Sequence, residues 1–170
     1  MNWRDAALRV LLAWWRLMRP TTIGVRGIVV DETGKLLLVR HSYGARKWFL
    51  PGGGHRGDES PDQALVREMR EETGIQVEVT RLVGVYFYNG QHKRDHIYVF
   101  ACRAIGGESR LVGGEIEAIG WFPPDALPSN LMIGMDRILD DWRRGVPGFG
   151  PLHSTTRPHE RPSHAKEQSR

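Results

Sequence analysis

The stretch Ser60–Ile75, SPDQALVREMREETGI, decides how this chain is read. Ser60 is a good N-cap, Pro61 suits the first helical position, and Gln63 completes a capping box. Gly74 fits the left-handed position just past a helix end. Together they predict a helix from Pro61 to Thr73. Inside it Glu68, Glu71 and Glu72 stand at i, i+3 and i+4, so three carboxylates converge on one face. Leu65 and Met69 form the neighbouring apolar stripe. Such crowding costs a few tenths of a kcal/mol per adjacent pair in an exposed helix. Glu71 and Glu72 also lie in the last turn, where the helix dipole disfavours negative charge. Two readings follow from the spacing. The face is either solvated and partly relieved by Arg67 and Arg70, or it holds a hard cation such as Mg²⁺ or Mn²⁺. A cation there usually brings a phosphate-bearing substrate.

The segment upstream is glycine-dense: Pro51-Gly52-Gly53-Gly54-His55-Arg56-Gly57. Glycines let a backbone approach a ligand closely and adopt positive φ. Hairpin turns use them too, so the glycines by themselves are a weak signal.

Taken as one pattern, the two segments resemble the Nudix box. Gly53, Glu59, Arg67-Glu68, Glu71-Glu72 and Gly74 stand at that pattern's fixed spacing, and Met69 and Ile75 fill its two hydrophobic positions. The approach Trp48–Gly53 and the stretch Glu115–Phe122 are also similar to the family. The resemblance spans Thr21 to Arg144 and implies an α/β fold, a Nudix-type α/β/α sandwich with a mixed central sheet. It implies a divalent-cation-dependent hydrolase that cleaves the pyrophosphate linkage of a nucleoside diphosphate derivative. Glu71 and Glu72 would be the principal metal ligands, and Glu68 would bind metal or act as general base. The Gly53 carbonyl would complete the inner shell. Glu59 and Arg67 would brace loop against helix. An additional acidic ligand is expected from Glu115 or Glu117, with Glu115 preferred for its spacing to Trp121.

Substrate phosphates would be held by Arg40, Lys47, Gly52 and Gly54, with Arg26, His41, Arg46 and His55 as weaker candidates. Tyr86-Phe87-Tyr88 either stacks on a base or alternates into the core. The chain lacks the downstream proline that marks many ADP-ribose-cleaving members, and the array typical of NADH-cleaving ones. Nucleoside triphosphates, oxidised nucleotides and dinucleoside polyphosphates stay open. A Nudix fold used as a ligand-sensing or interaction module is the alternative, although such modules often lose box glutamates and this chain keeps all of them.

The net charge of +4 does not point to nucleic acid. Residues 1–20 carry +3 and residues 145–170 carry +2, which leaves −1 for the middle. A near-neutral core lacks the field that holds a polyanion, which argues against removal of an RNA cap. The single cysteine, Cys102, excludes an intrachain disulfide and fits a reducing compartment, so a cytoplasmic protein is expected.

Three parts are expected. Residues 1–20 form an amphipathic basic helix, with Arg4, Asp5, Arg9, Arg16 and Arg19 in one arc of about 140° and Trp3, Val10, Trp14, Leu17 and Met18 opposite. Its apolar face packs on its own domain or a second subunit, giving a homodimer, or lies on an anionic membrane surface. Residues 21–144 form the hydrolase domain. It opens with a hairpin around Asp31-Glu32-Thr33-Gly34 and closes with a helix starting near Ser129 or Asn130, whose stripe is Leu131, Met135, Ile138, Leu139 and Trp142. Residues 145–170 are expected to be a disordered polar tail.

Overall fold

The structure is a computed structural model that describes residues 3–42, 46–90, 92–111 and 114–152. Its elements run α1 (Trp3–Met18), β1 (Thr21–Val30), β2 (Leu36–His41), β3 (Trp48–Phe49), α2 (Pro61–Thr73), β4 (Gln76–Tyr88), β5 (Arg94–Gly106), β6 (Ile116–Phe122), α3 (Met135–Arg144) and β7 (Gly148–Pro151). One seven-stranded sheet has the order β3-β2-β1-β5-β4-β7, with β6 added on β2. It is mixed: β1 runs parallel to β5 and β4 parallel to β7, while β4–β5 and β2–β6 are antiparallel.

Strand alternation sends side chains to two faces, and each face buries one helix. On one, Ala64, Leu65 and Met69 of α2 pack with Val25, Val29, Leu37, Val77 and Phe100. On the other, Met135, Ile138 and Leu139 of α3 pack with Ile28, Leu36, Leu38, Val83, Tyr86 and Val99. This is the expected sandwich. The tyrosine run splits across these faces. Tyr86 is fully buried, its hydroxyl donating to Asp141 at 2.9 Å, while Phe87 tilts against His96.

The turn at Asp31–Gly34 forms as expected, with Asp31 Oδ1 accepting from the Thr33 and Lys35 N–H groups. Beyond it β1 and β2 part at once, and only Val30 and Leu36 are paired across the turn. The splay frees one edge of β1. The glycine loop fills it: Gly27 N–H donates to Pro51 at 2.9 Å, Val25 N–H to Gly53 at 2.9 Å, and His55 N–H to Ile23 at 3.0 Å. The loop therefore sits as an extra strand-like rung beside the sheet.

Two boundaries differ from the sequence reading. The last helix starts at Met135, because Gly134 takes φ 78° and the segment before it is pinned to β3. Trp48 N–H donates to Asn130, and Met132 N–H to Trp48. The tail also begins later than residue 145. Gly148–Pro151 pairs with Gly84–Phe87 of β4, and Leu152 is buried against the α3 cluster. A short glycine-rich strand carries too little apolar periodicity to show in sequence. The remainder of the expected tail, residues 153–170, lies outside the described residues.

Candidate active site

Helix α2 forms where its caps predict. Ser60 is extended and its N–H donates to Gln63 Oε1 at 2.9 Å. Gly74 ends the helix at φ 73°, its N–H returning to the Arg70 carbonyl. With Leu65 and Met69 locked in the core, the helix has no rotational freedom, and its acidic face points at the glycine loop.

The three glutamates meet different environments. Glu71 is exposed, with its side chain 43% accessible. Glu68 is largely covered, packed against the Cα of Gly53; a Cβ on Gly53 would sit 2.6 Å from Glu68 Oε2. Glu72 is buried, and its Oε2 accepts the Gly52 N–H at 3.0 Å. Burial raises the Glu72 pKa to about 7. The Gly52 N–H and Arg26 oppose that rise, and the charges of Glu68 and Glu115 add to it.

Arg67 wires this face together. It grips Glu59 with two bonds, Nε to Oε2 at 3.0 Å and Nη2 to Oε1 at 2.6 Å. Its Nη1 reaches Glu68 at 2.7 Å and Glu71 at 3.1 Å, and its Nη2 also reaches the Gly54 carbonyl at 3.0 Å. The guanidinium holds Glu59 down at about 2. The guanidinium thus ties Glu59 of the loop to α2 and also pairs with Glu68 and Glu71 on the acidic face.

Sequence-predicted residues divide clearly. Gly53, Gly54, Glu59, Arg67, Glu68, Glu71 and Glu72 meet at the loop–α2 corner. Gly52 is present but spent: it is buried, its N–H serves Glu72, and its carbonyl accepts from Arg26. It has nothing left for a substrate phosphate. Its φ of 134° would drive a Cβ into the Val25 carbonyl, so the position demands glycine for internal fit. Arg40 shares its strand parity with Leu36 and Leu38, stacks over Trp48 and pairs with Glu117 at 2.7 Å. That places it on the α3 side of the sheet. Lys47 is half-buried at the entry to β3. No hydrogen bond or ion pair among the described residues joins Arg40 or Lys47 to the α2 glutamates.

The choice between Glu115 and Glu117 turns on a bulge. Pairing shifts from Arg40–Ala118 to His41–Ile116, which leaves Glu117 as the extra residue. Glu117 is drawn onto Arg40 and Arg46. Glu115 stays exposed, and its charge is felt at Glu72.

Two residues matter more than the sequence indicated. Arg26 clamps the Gly52 carbonyl and offsets Glu72. Buried Asp95 takes Thr22 Oγ1 at 2.7 Å and Lys93 at 2.8 Å, across Gly24 from the Gly53 carbonyl. Its only sequence signal is an acid at an inward strand position.

Does the corner suit a cation? No three His, Cys, Asp or Glu side chains among the described residues are gathered tightly enough to hold an ion as they stand. Arg67 bonds two of the carboxylates instead. The donor chemistry nonetheless fits: clustered carboxylates, a carbonyl and a buried glutamate whose ionisation is opposed by neighbouring negative charge.

A mixed α/β sandwich here sets an acidic helix against a glycine loop, an arrangement suited to a cation and a phosphate. The Nudix domain profile matches residues 20–142. The chain is 32% identical over 125 residues to a putative 8-oxo-dGTP diphosphatase of Bacillus subtilis, covering 74% of this chain and 82% of the relative. It is 32% identical over 134 residues to an ADP-ribose pyrophosphatase of Methanocaldococcus jannaschii, covering 76% and 78%. The crystal structure of the MutT Nudix hydrolase from Burkholderia pseudomallei superposes with a TM-score of 0.66 at 30% identity, covering 71% of this chain and 97% of that one. The chain belongs to the Nudix family, hydrolases of pyrophosphate bonds that generally use divalent cations.

Proposed function

We propose that the chain hydrolyses the pyrophosphate linkage of a nucleoside diphosphate derivative, with Mg²⁺ or Mn²⁺ held by Glu68, Glu71, Glu72, the Gly53 carbonyl and Glu115. The observation that carries this reading is buried Glu72, whose ionisation is opposed by Glu68 and Glu115 and relieved by a bound cation. When bound, the cation neutralises the pyrophosphate and lowers the pKa of the attacking water.

The protein's own groups do the rest. Arg67 fixes the Oε1 of Glu68 at 2.7 Å, which leaves Oε2 to accept the water proton. General-base assistance of this kind contributes about 10²–10⁴-fold. Glu59 and the Gly54 carbonyl hold Arg67 in place. Arg26 and the Gly52 N–H hold the loop and Glu72 in one register. Glu71, the most open of the three, is paired with Arg56 and Arg67 and would exchange them for a bound cation.

Relatives named for 8-oxo-dGTP and for ADP-ribose match equally well, so a nucleotide-type substrate is the supported level. The test is a panel of nucleotide substrates assayed for phosphate or nucleoside monophosphate release with Mg²⁺ or Mn²⁺, with Glu72→Gln as control. Release by the wild type alone is expected. No release from any nucleotide by the folded protein favours a ligand-sensing module.

A further inference from the structure

Helix α1 stands apart from the hydrolytic corner. Its Leu12 and Trp15 side is half-buried, with Lys93 lying 4.9 Å over the Trp15 ring, while Val10, Trp14, Leu17 and Met18 are exposed. The cations beside the glutamates carry more. Neither Arg40 nor Lys47 is joined to the acidic face by a hydrogen bond or ion pair among the described residues, and both backbone groups of Gly52 are engaged. A polyanion at the corner therefore needs another positive group. Arg67 and Arg26 are committed to the fold. Arg67 is 13% exposed and holds Glu59 and the Gly54 carbonyl, and Arg26 clamps the Gly52 carbonyl.

Arg56 is placed differently. Its side chain is 60% exposed, and it meets Glu71 through Nη2 at 3.3 Å. A surface pair of this kind is weak and readily exchanged. The backbone beneath it is fixed. The Arg56 N–H donates to Glu59 Oε1 at 2.9 Å, and its carbonyl accepts the Glu59 N–H at 3.3 Å. Arg67 locks Glu59 in turn. Space around the loop is open, since a Cβ added at Gly54 or Gly57 would meet nothing within 4 Å. A guanidinium on a fixed stem, with room to swing, thus covers the most open carboxylate of the site.

When Glu71 turns to a cation, as the proposed function requires, Arg67 keeps Glu59 and the Gly54 carbonyl. Arg56 gives up its carboxylate and is left with a planar fork of donors that matches a phosphate. We infer that Arg56 exchanges Glu71 for a phosphate group of the substrate. One side chain then neutralises Glu71 before a cation arrives and holds the polyanion afterwards. This inference rests on the metal-binding reading of the corner given above.

Full-length protein is titrated calorimetrically with Mn²⁺ alone. The Mn²⁺-saturated protein is then titrated with imidodiphosphate, a pyrophosphate whose bridging oxygen is replaced by NH. Arg56→Ala removes a competitor for Glu71, so Mn²⁺ is expected to bind about two- to fivefold more tightly. Imidodiphosphate is expected to bind at least about tenfold more weakly. In the nucleotide panel KM rises by a similar factor while kcat changes less than about twofold. Arg56→Lys returns Mn²⁺ affinity to the wild-type value but recovers only part of the imidodiphosphate affinity, because lysine lacks the fork. Arg70→Ala, which removes an equal charge from α2, moves neither affinity. Both arginines are exposed, so the variants fold. Unchanged imidodiphosphate affinity in Arg56→Ala, or Mn²⁺ bound no more tightly, overturns the inference and leaves the metal-binding reading standing. Equal effects from Arg70→Ala reduce the result to net charge and overturn it as well. Wild-type protein that binds neither Mn²⁺ nor imidodiphosphate overturns both.

Discussion

Helices α1 and α2 are both amphipathic and both carry charge, yet the molecule treats them in opposite ways. In α2 the apolar stripe is sealed in the core and each charge on the acidic face has a named counterpart. In α1 the larger apolar stripe faces outward, and Arg9 and Arg16 are exposed. An amphipathic pattern states that two faces differ. It does not state which neighbour each face meets. For α2 that neighbour is the glycine loop, supplied because β1 and β2 splay apart. For α1 the domain supplies only the underside of one stripe.

The contrast is broken most severely at Glu72. Glu72→Gln is expected to lower kcat by at least about 10³-fold while the protein stays folded, since it removes the buried ligand of an electrostatic site. Unchanged turnover sinks the assignment. The same substitution has a second signature. The Glu72 carboxyl is raised from 4.5 to about 7, so the native state binds its proton more tightly than the unfolded chain. Wild-type stability in EDTA therefore falls as pH rises from 4.5 to 7 and stays low above that. Glu72→Gln escapes this cost and should be about 2–3 kcal/mol more stable than wild type at pH 8, with little difference at pH 4. Paired denaturant melts at the two pH values check it.

Next in size is Gly52→Ala. Its Cβ meets the Val25 carbonyl and its φ is forbidden to alanine, so the loop must leave β1. A loss of about 2–4 kcal/mol in denaturant unfolding is expected, with activity lost in parallel. Arg67→Ala should then cost about 10–100-fold in kcat, as outer positioning groups do. Arg67→Lys should restore little, because lysine has no planar fork to grip both Glu59 oxygens. Full recovery by lysine would show that only the charge matters.

Smaller effects separate the paired glutamates and test the quiet helix. Glu115→Gln should lower kcat about tenfold, and Glu117→Gln less than twofold, in steady-state assays with Mg²⁺. The reverse order would move the extra ligand to Glu117. Trp14→Glu should shift unfolding free energy by no more than about 0.5 kcal/mol, since Trp14 is 51% exposed. A large loss there would show that the Trp14 stripe, and not only the Trp15 side of α1, packs on the domain.

What the sequence determined by itself was local. Ser60, Pro61, Gln63 and Gly74 set both ends of α2, and the i, i+3, i+4 spacing set which glutamates share a face. Only the tertiary structure separated buried Glu72 from open Glu71. It also turned Arg67 into a hub, engaged both backbone groups of Gly52, moved Arg40 to the far face and paired Glu117 with Arg40 and Arg46 at a bulge. It carried the domain on to Leu152 and turned the Trp14 stripe outward. The physical reason is range. Helix caps and periodicity act over three or four residues, which sequence displays directly. Burial, pKa and ion-pair partners depend on segments distant along the chain, and those distances exist only after the sheet has formed.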